Sequence, residues 1–268
     1  MLGGEASWGE GPEAMVRGHA EFLRRFVREQ GVQTNEVQRS WMLLPCFLEA
    51  ARRARAETVD LIELGPSAGL NLVWDRYRYV YDAGAWGPTA SPLVLSGDER
   101  RRVPRDVLDV RLRVRSRVGV DRSPIDVTTD DGARLLKAFV WPDQAWRLEL
   151  LDRAIEALRA DPPELLRGDV VDELPGLLRA RRADALTLVF QTVVLAYLDR
   201  DGVRRIYAAL DEAAADGAPL AYVGTHAPAP DVHTYHSLAL RVWPGERELV
   251  ADADFHGAWI DWRLRAES

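Results

Sequence analysis

The segment Val59-Asp60-Leu61-Ile62-Glu63-Leu64-Gly65-Pro66-Ser67-Ala68-Gly69 narrows the fold more than any other stretch of this chain. Val59 to Leu64 is a short apolar run that stops at a glycine, the pattern of a strand buried inside a parallel sheet. The glycines that follow allow a tight turn and a close approach of backbone to a ligand. Leu70 to Asp75 then reads as the start of a helix, whose unpaired N–H groups and positive dipole end would face the turn.

The rest of the chain repeats the alternation. Val118-Gly119-Val120-Asp121 reads as a second strand, Gly168-Asp169-Val170 as the end of a third, Ala185 to Phe190 as a fourth and Leu220 to Val223 as a fifth. Between them Leu148, Leu151, Ile155 and Leu158, and later Val203, Ile206, Tyr207 and Leu210, recur at helical spacing. Ser237 to Trp243 and Glu248 to Ala251 read as a hairpin. The expected class is therefore α/β, with a Rossmann-like, mostly parallel sheet and a C-terminal antiparallel hairpin.

Residues 1–57 read as an N-terminal helical cap before a sheet domain over 58–268. Gly31 would separate two helices, Thr34 would cap the second, and Pro45 should kink or end it. The excursion from about Arg76 to Asp109 is rich in Tyr, Gly, Pro and Arg, and reads as too polar and broken to be core.

Composition removes several classes. No apolar run approaches the roughly 18–20 residues that span a bilayer, and residues 1–13 lack a basic-then-apolar leader pattern, so a cytoplasmic protein with no membrane partner is expected. The net charge of −7 argues against nucleic acid as a partner. The single cysteine, Cys46, excludes a disulfide framework and any Cys-based zinc cluster, and its apolar neighbours read as core. Lys137 is the only lysine, which removes a P-loop and argues against pyridoxal chemistry. His233-Thr234-Tyr235-His236 has ligand-like spacing but no clear third ligand, so no metal is expected.

Chemistry gathers at the strand ends. Asp121 closes the second strand, where a carboxylate can accept both hydroxyls of a ribose. Asp169, beside Val170, closes the third and could hold an exocyclic amine. Gln191 follows the fourth. This order resembles class I S-adenosylmethionine-dependent methyltransferases, whose first motif, acid-x-Gly-x-Gly-x-Gly, is similar to Glu63-x-Gly65-x-Ser67-x-Gly69 with Ser67 in place of one glycine. The resemblance covers about residues 58–225. It implies the Rossmann-like class I methyltransferase fold and S-adenosylmethionine as cofactor, with Glu63, Gly65, Gly69, Asp121 and Asp169 in contact with it. Ser67, Asn71, Arg122, Val170 and Gln191 complete the expected cofactor set. The chain as a whole is similar to a bacterial family, domain of unknown function 2332, through Val32 to Arg39, Glu63 to Leu72, Trp74 to Tyr77, Val140 to Gln144 and Phe255 to Trp259.

For a small-molecule substrate the candidates are Asn35 and Arg39 at the start of the cap helix, Tyr77, and the Trp141-Pro142-Asp143-Gln144 turn. For a proton acceptor they are His256, His226 and Glu36. Arg111, Arg113, Arg115 and Arg117 alternate and would put four guanidiniums on one strand face, suited to an anionic substrate or simply a solvated edge. Two alternatives to methyl transfer stay open. One is a methyltransferase-like binding or regulatory module without turnover. The other is a serine hydrolase, since Gly65-Pro66-Ser67-Ala68-Gly69 also matches Gly-x-Ser-x-Gly, with Asp199 or Asp201 and His226 or His256 to complete a triad.

Overall fold

A computed structural model of the protein describes residues 12–29, 33, 35–141, 143–227 and 234–264. Gly31, Thr34, Pro142 and His233 lie outside the described residues. By its contacts the chain divides at Thr34–Asn35, well before the expected boundary at 57. The first unit carries helices α1 (Pro12–Gly18) and α2 (Ala20–Glu29).

The second unit opens with α3 (Arg39–Ala54), which is core rather than cap: Trp41 to Leu48 are buried without a break. Pro45 lies inside this helix and neither ends it nor leaves a bond unmade. A proline cannot donate to the carbonyl four residues back, here Trp41 O. Tyr81 Oη donates to that oxygen instead, at 2.5 Å.

The strands that follow are β1 (Thr58–Leu64), β2 (Arg78–Tyr81), β3 (Gly84–Trp86), β4 (Val94–Ser96) and β5 (Asp98–Arg101). After the short helix α4 (Arg105–Leu108) come β6 (Arg113–Asp121), α5 (Asp130–Ala138), α6 (Ala145–Ala160), β7 (Glu164–Arg167), α7 (Val170–Arg179) and β8 (Leu186–Gln191). The chain closes with α8 (Arg200–Ala214), β9 (Leu220–His226), β10 (His236–Val242), β11 (Glu248–Ala253) and β12 (Trp259–Trp262).

Nine strands form one sheet in the order β5-β12-β11-β10-β9-β8-β1-β6-β7. The five from β9 to β7 are parallel, and β10, β11 and β12 continue antiparallel as a meander, so the α/β class and the hairpin expected from the sequence are present. Side chains alternate between two core layers as the pleat requires. Val59, Leu61, Leu188, Phe190, Ala221 and Val223 pack into the layer with α3 and α6. Ile62, Leu64, Val189, Leu220 and Tyr222 pack against α7 and α8.

Two expectations are corrected here. The excursion is not peripheral: β3, β2 and β4 make a small second sheet, and β5 joins the edge of the large one. Tyr77, Tyr79 and Tyr81 are buried, each with its hydroxyl donating to a backbone carbonyl, so aromatic rings carry core area while their polar tips stay satisfied. Tyr77 therefore belongs to the core and not to a substrate pocket. The arginine row is also broken up. The β1–β6 register shifts between Val59 and Asp60, which leaves Arg115 in a bulge. Arg115 then pairs with Asp60 and Asp184, whereas Arg117 pairs with Asp75 and Asp161. These guanidiniums are held by the protein's own carboxylates, not presented together to an anion.

Candidate functional site

From β1 the chain runs outward to β6 and β7 on one side of the sheet, and then to β8 and β9 on the other. The crevice beyond the carboxyl ends of β1 and β8 is thus a topological switch point, where doubly wound sheets bind ligands. The glycine turn sits there. Gly65 (φ +70°), Ser67 (φ 54°) and Gly69 (φ +80°) all take left-handed backbone.

The turn differs from expectation in two ways. Leu70–Arg76 is a 3-10 segment interrupted at Val73, not a regular α-helix, so no aligned helix dipole points at the crevice. Its amides are also committed. Gly65 N donates to Val120 O (2.9 Å), Ser67 N to Asp121 Oδ2 (2.9 Å), Ala68 N to Asn35 Oδ1 (3.1 Å) and Gly69 N to Pro66 O (2.9 Å). Asn35 also donates from Nδ2 to Ser67 Oγ at 2.6 Å. Asn35 thus reaches the site, as a clamp on the turn.

A Cβ at Gly65 would lie 2.6 Å from Val194 Cγ2. Gly65→Ala is expected to cost about 1–2 kcal/mol for left-handed alanine, plus the clash. Adding Val194→Ala should recover only the clash. Full recovery in urea unfolding would show that φ at position 65 is not strained.

The acids are arranged unequally. Glu63, on the α3 face of β1, is buried, and burial with Asp121 nearby pushes its carboxyl up to about 8 against the pull of Asn71 and Arg39. Asn71, which also accepts from Ser40 Oγ at 2.7 Å, fixes one side of this carboxyl; Glu63 Oε2 is buried without a partner. Asp121 accepts from Ser67 N and, at 2.8 Å, from Ser123 N, one bond to each oxygen. Asp169 is taken: it caps α7 through Val171 N (2.9 Å) and pairs with Arg122 at 2.5 Å. Those bonds hold its carboxyl below the ordinary carboxylate value, and Val170 packs into the core. Asp169, Arg122 and Val170 thus form a helix start rather than an open contact. Gln191 donates to Tyr222 Oη and Thr225 O, and its Oε1 is buried without a partner.

Around the mouth, Glu36 is buried and pairs with Arg147 of α6 at 2.5 Å and with His256 Nδ1 at 3.2 Å. Arg39 Nε donates to Phe255 O (2.9 Å), and its Nη1 reaches Thr192 Oγ1 at 3.5 Å. His236, edge-on to Phe255, and His226, beside Tyr222, are both held near pKa 4 mainly by burial, and both have a buried Nε2 without a partner. His226 is therefore neutral near pH 7, while His256 is half exposed and backed by a carboxylate.

Trp141 is 70% exposed and Asp143 is exposed, and no contact joins either to this group among the described residues. Gln144 begins α6 and accepts from Arg147, so it touches the group only through that arginine. The hydrolase acids are otherwise employed: Asp199 caps α8 through Gly202 N and exposed Asp201 pairs with Arg204.

Asn35, Glu36, Arg39, Glu63, Asn71 and His256 are thus brought together. Sequence reasoning missed Arg147 and Thr192 and took His236 only as half of a spaced histidine pair. None of these sits in a local pattern; only the fold carries them to the crevice. Among the described residues no cluster of three His, Cys, Asp or Glu is placed to hold a metal ion, and no helix is long and apolar enough to cross a membrane. A family model described as an uncharacterised protein conserved in bacteria, domain of unknown function 2332, matches residues 5–262. No curated protein matches the chain.

Proposed function

The chain belongs to this bacterial family of uncharacterised proteins, and from that premise, since membership supplies no reaction, we propose that it binds S-adenosylmethionine and methylates a small molecule. The observation that carries the reading is a left-handed glycine turn at the switch point joined to Asp121 at the end of the neighbouring strand. The donor set fits this cofactor better than a dinucleotide. A pyrophosphate needs free backbone amides, and four amides of this turn are engaged within the protein. S-adenosylmethionine has no phosphate. Each Asp121 oxygen keeps a lone pair for a ribose hydroxyl after accepting its backbone bond. Gln191 Oε1, buried and unpartnered at the end of β8, is the kind of polar atom a ligand satisfies.

When bound, the cofactor supplies an electrophilic methyl group. The chain's own residues do the rest. Glu36 Oε2 stands 3.2 Å from His256 Nδ1, which leaves Nε2 to accept a proton from an attacking hydroxyl or amine. Arg147 fixes Glu36 in turn. The crevice's part is to hold the two reactants in line.

Calorimetry with S-adenosylmethionine and its demethylated product is the test. Binding of both is expected, with affinity lowered at least tenfold in Asp121→Asn. Absence of binding at millimolar ligand overturns the reading.

A further inference from the structure

We propose that Arg39 is the receptor for a carboxylate group on the small-molecule substrate, with His236 and Glu63 beside it in the same crevice. Naming that molecule as the methyl acceptor rests on the function proposed above; the anion site itself does not.

Arg39 is unusual in its company. The other deeply placed arginines meet carboxylates: Arg115 meets Asp60, Arg117 meets Asp75, Arg147 meets Glu36 and Arg181 meets Asp216. Arg39 is only 7% exposed, yet among the described residues no carboxylate stands at ion-pair distance from it. Its protein contacts are two neutral oxygens, Phe255 O and Thr192 Oγ1. Burial disfavours the guanidinium charge, Glu36 offsets part of that while already paired with Arg147, and a counter-charge supplied by a ligand would offset the rest.

The neighbouring groups suit an arriving anion. His236 lies within the field of Arg39, and its buried Nε2 has no partner, so a neutral imidazole can donate there. Glu63 also lies within that field; with its carboxyl protonated near neutral pH, Oε2 can donate as well. Nε is already fixed on Phe255 O and Nη1 reaches Thr192 Oγ1, which sets the plane of the guanidinium and leaves Nη2 and the second Nη1 hydrogen for the ligand. A planar fork matches a planar carboxylate. A phosphate dianion fits less well, because Glu36 acts on Arg39 and Asp254 on His236 as nearby negative charges.

The experiment uses the whole chain without S-adenosylmethionine and compares benzoate, its neutral isostere benzamide, and inorganic phosphate by calorimetry. Wild type should bind benzoate at least tenfold more tightly than benzamide, and more tightly than phosphate. Arg39→Met should lower benzoate affinity at least tenfold, with Arg39→Lys between the two. Equal binding of benzoate and benzamide by wild type overturns the site, whether or not the variants fold. Tighter binding of phosphate, or full benzoate affinity in Arg39→Met, overturns it too. A protein that selects benzoate but ignores S-adenosylmethionine would lose the proposed reaction and keep the receptor.

Discussion

Tyr81→Phe is expected to destabilise the protein by about 1–3 kcal/mol, the cost of leaving a buried acceptor unpaired, and Pro45→Ala is expected to remove most of that loss. The residue is 5% exposed, and its ring stacks on Trp41 with centroids 5.1 Å apart. Phenylalanine preserves that stacking and the filled volume. What it removes is the hydroxyl that donates to Trp41 O at a helical position where Pro45 has no N–H to give. In the Pro45→Ala background a normal i to i−4 bond forms, so the same tyrosine change should cost less than about 1 kcal/mol, the net value of an ordinary hydrogen bond. Urea unfolding of the four proteins closes the cycle. An identical cost of Tyr81→Phe with proline or alanine at position 45 would show that the hydroxyl does not complete the helix.

The same pair of residues shows where the sequence could be read and where it could not. β1, β8, β9 and the β10–β11 hairpin were legible because apolar runs bounded by turn residues report burial directly. Pro45 was not, because its rescue comes from Tyr81, 36 positions later in a segment that looked too polar to be core. A tyrosine among arginines, glycines and prolines reads as surface, whereas packing uses its ring. β6 gave up its second half but not its bulge, since a one-residue shift in pairing leaves no mark on one strand alone. At the site, Asn35, Glu36 and Arg39 stood out as polar residues before an apolar helix, and Glu63 and Asp121 as acids at strand ends. Their roles were not legible. Whether Asp169 is an open contact or a helix cap depends on Arg122 and Val171 N, and whether Arg39 is paired depends on which carboxylates the topology brings near.

Glu63 should also govern how stability changes with pH. Burial, and next the neighbouring Asp121, hold its carboxyl protonated to about 8, against 4.5 in an open chain. The folded state then binds the extra proton between those values. Its contribution is complete below pH 4.5, falls as pH rises, and is spent by about pH 8. His226 and His236 act in the opposite sense. Their pKa values near 4, against 6.5 unfolded, mean that the unfolded chain takes up protons first as pH falls through that window, so their contribution is full above pH 6.5 and declines towards pH 4. Two histidines outweigh one carboxyl below 6.5, and the carboxyl acts alone above it, so these groups set a stability maximum near pH 6.5. Glu63→Gln keeps the shape and an amide partner for Asn71 but cannot ionise. It should remove the falling limb, so that variant minus wild type grows by a few kcal/mol from pH 4.5 to 8, on the order of 1.4 kcal/mol for each unit of displacement. Parallel stability curves over that range would mean that Glu63 ionises in the folded protein as freely as in the open chain, and would remove one of the two neutral donors placed beside Arg39.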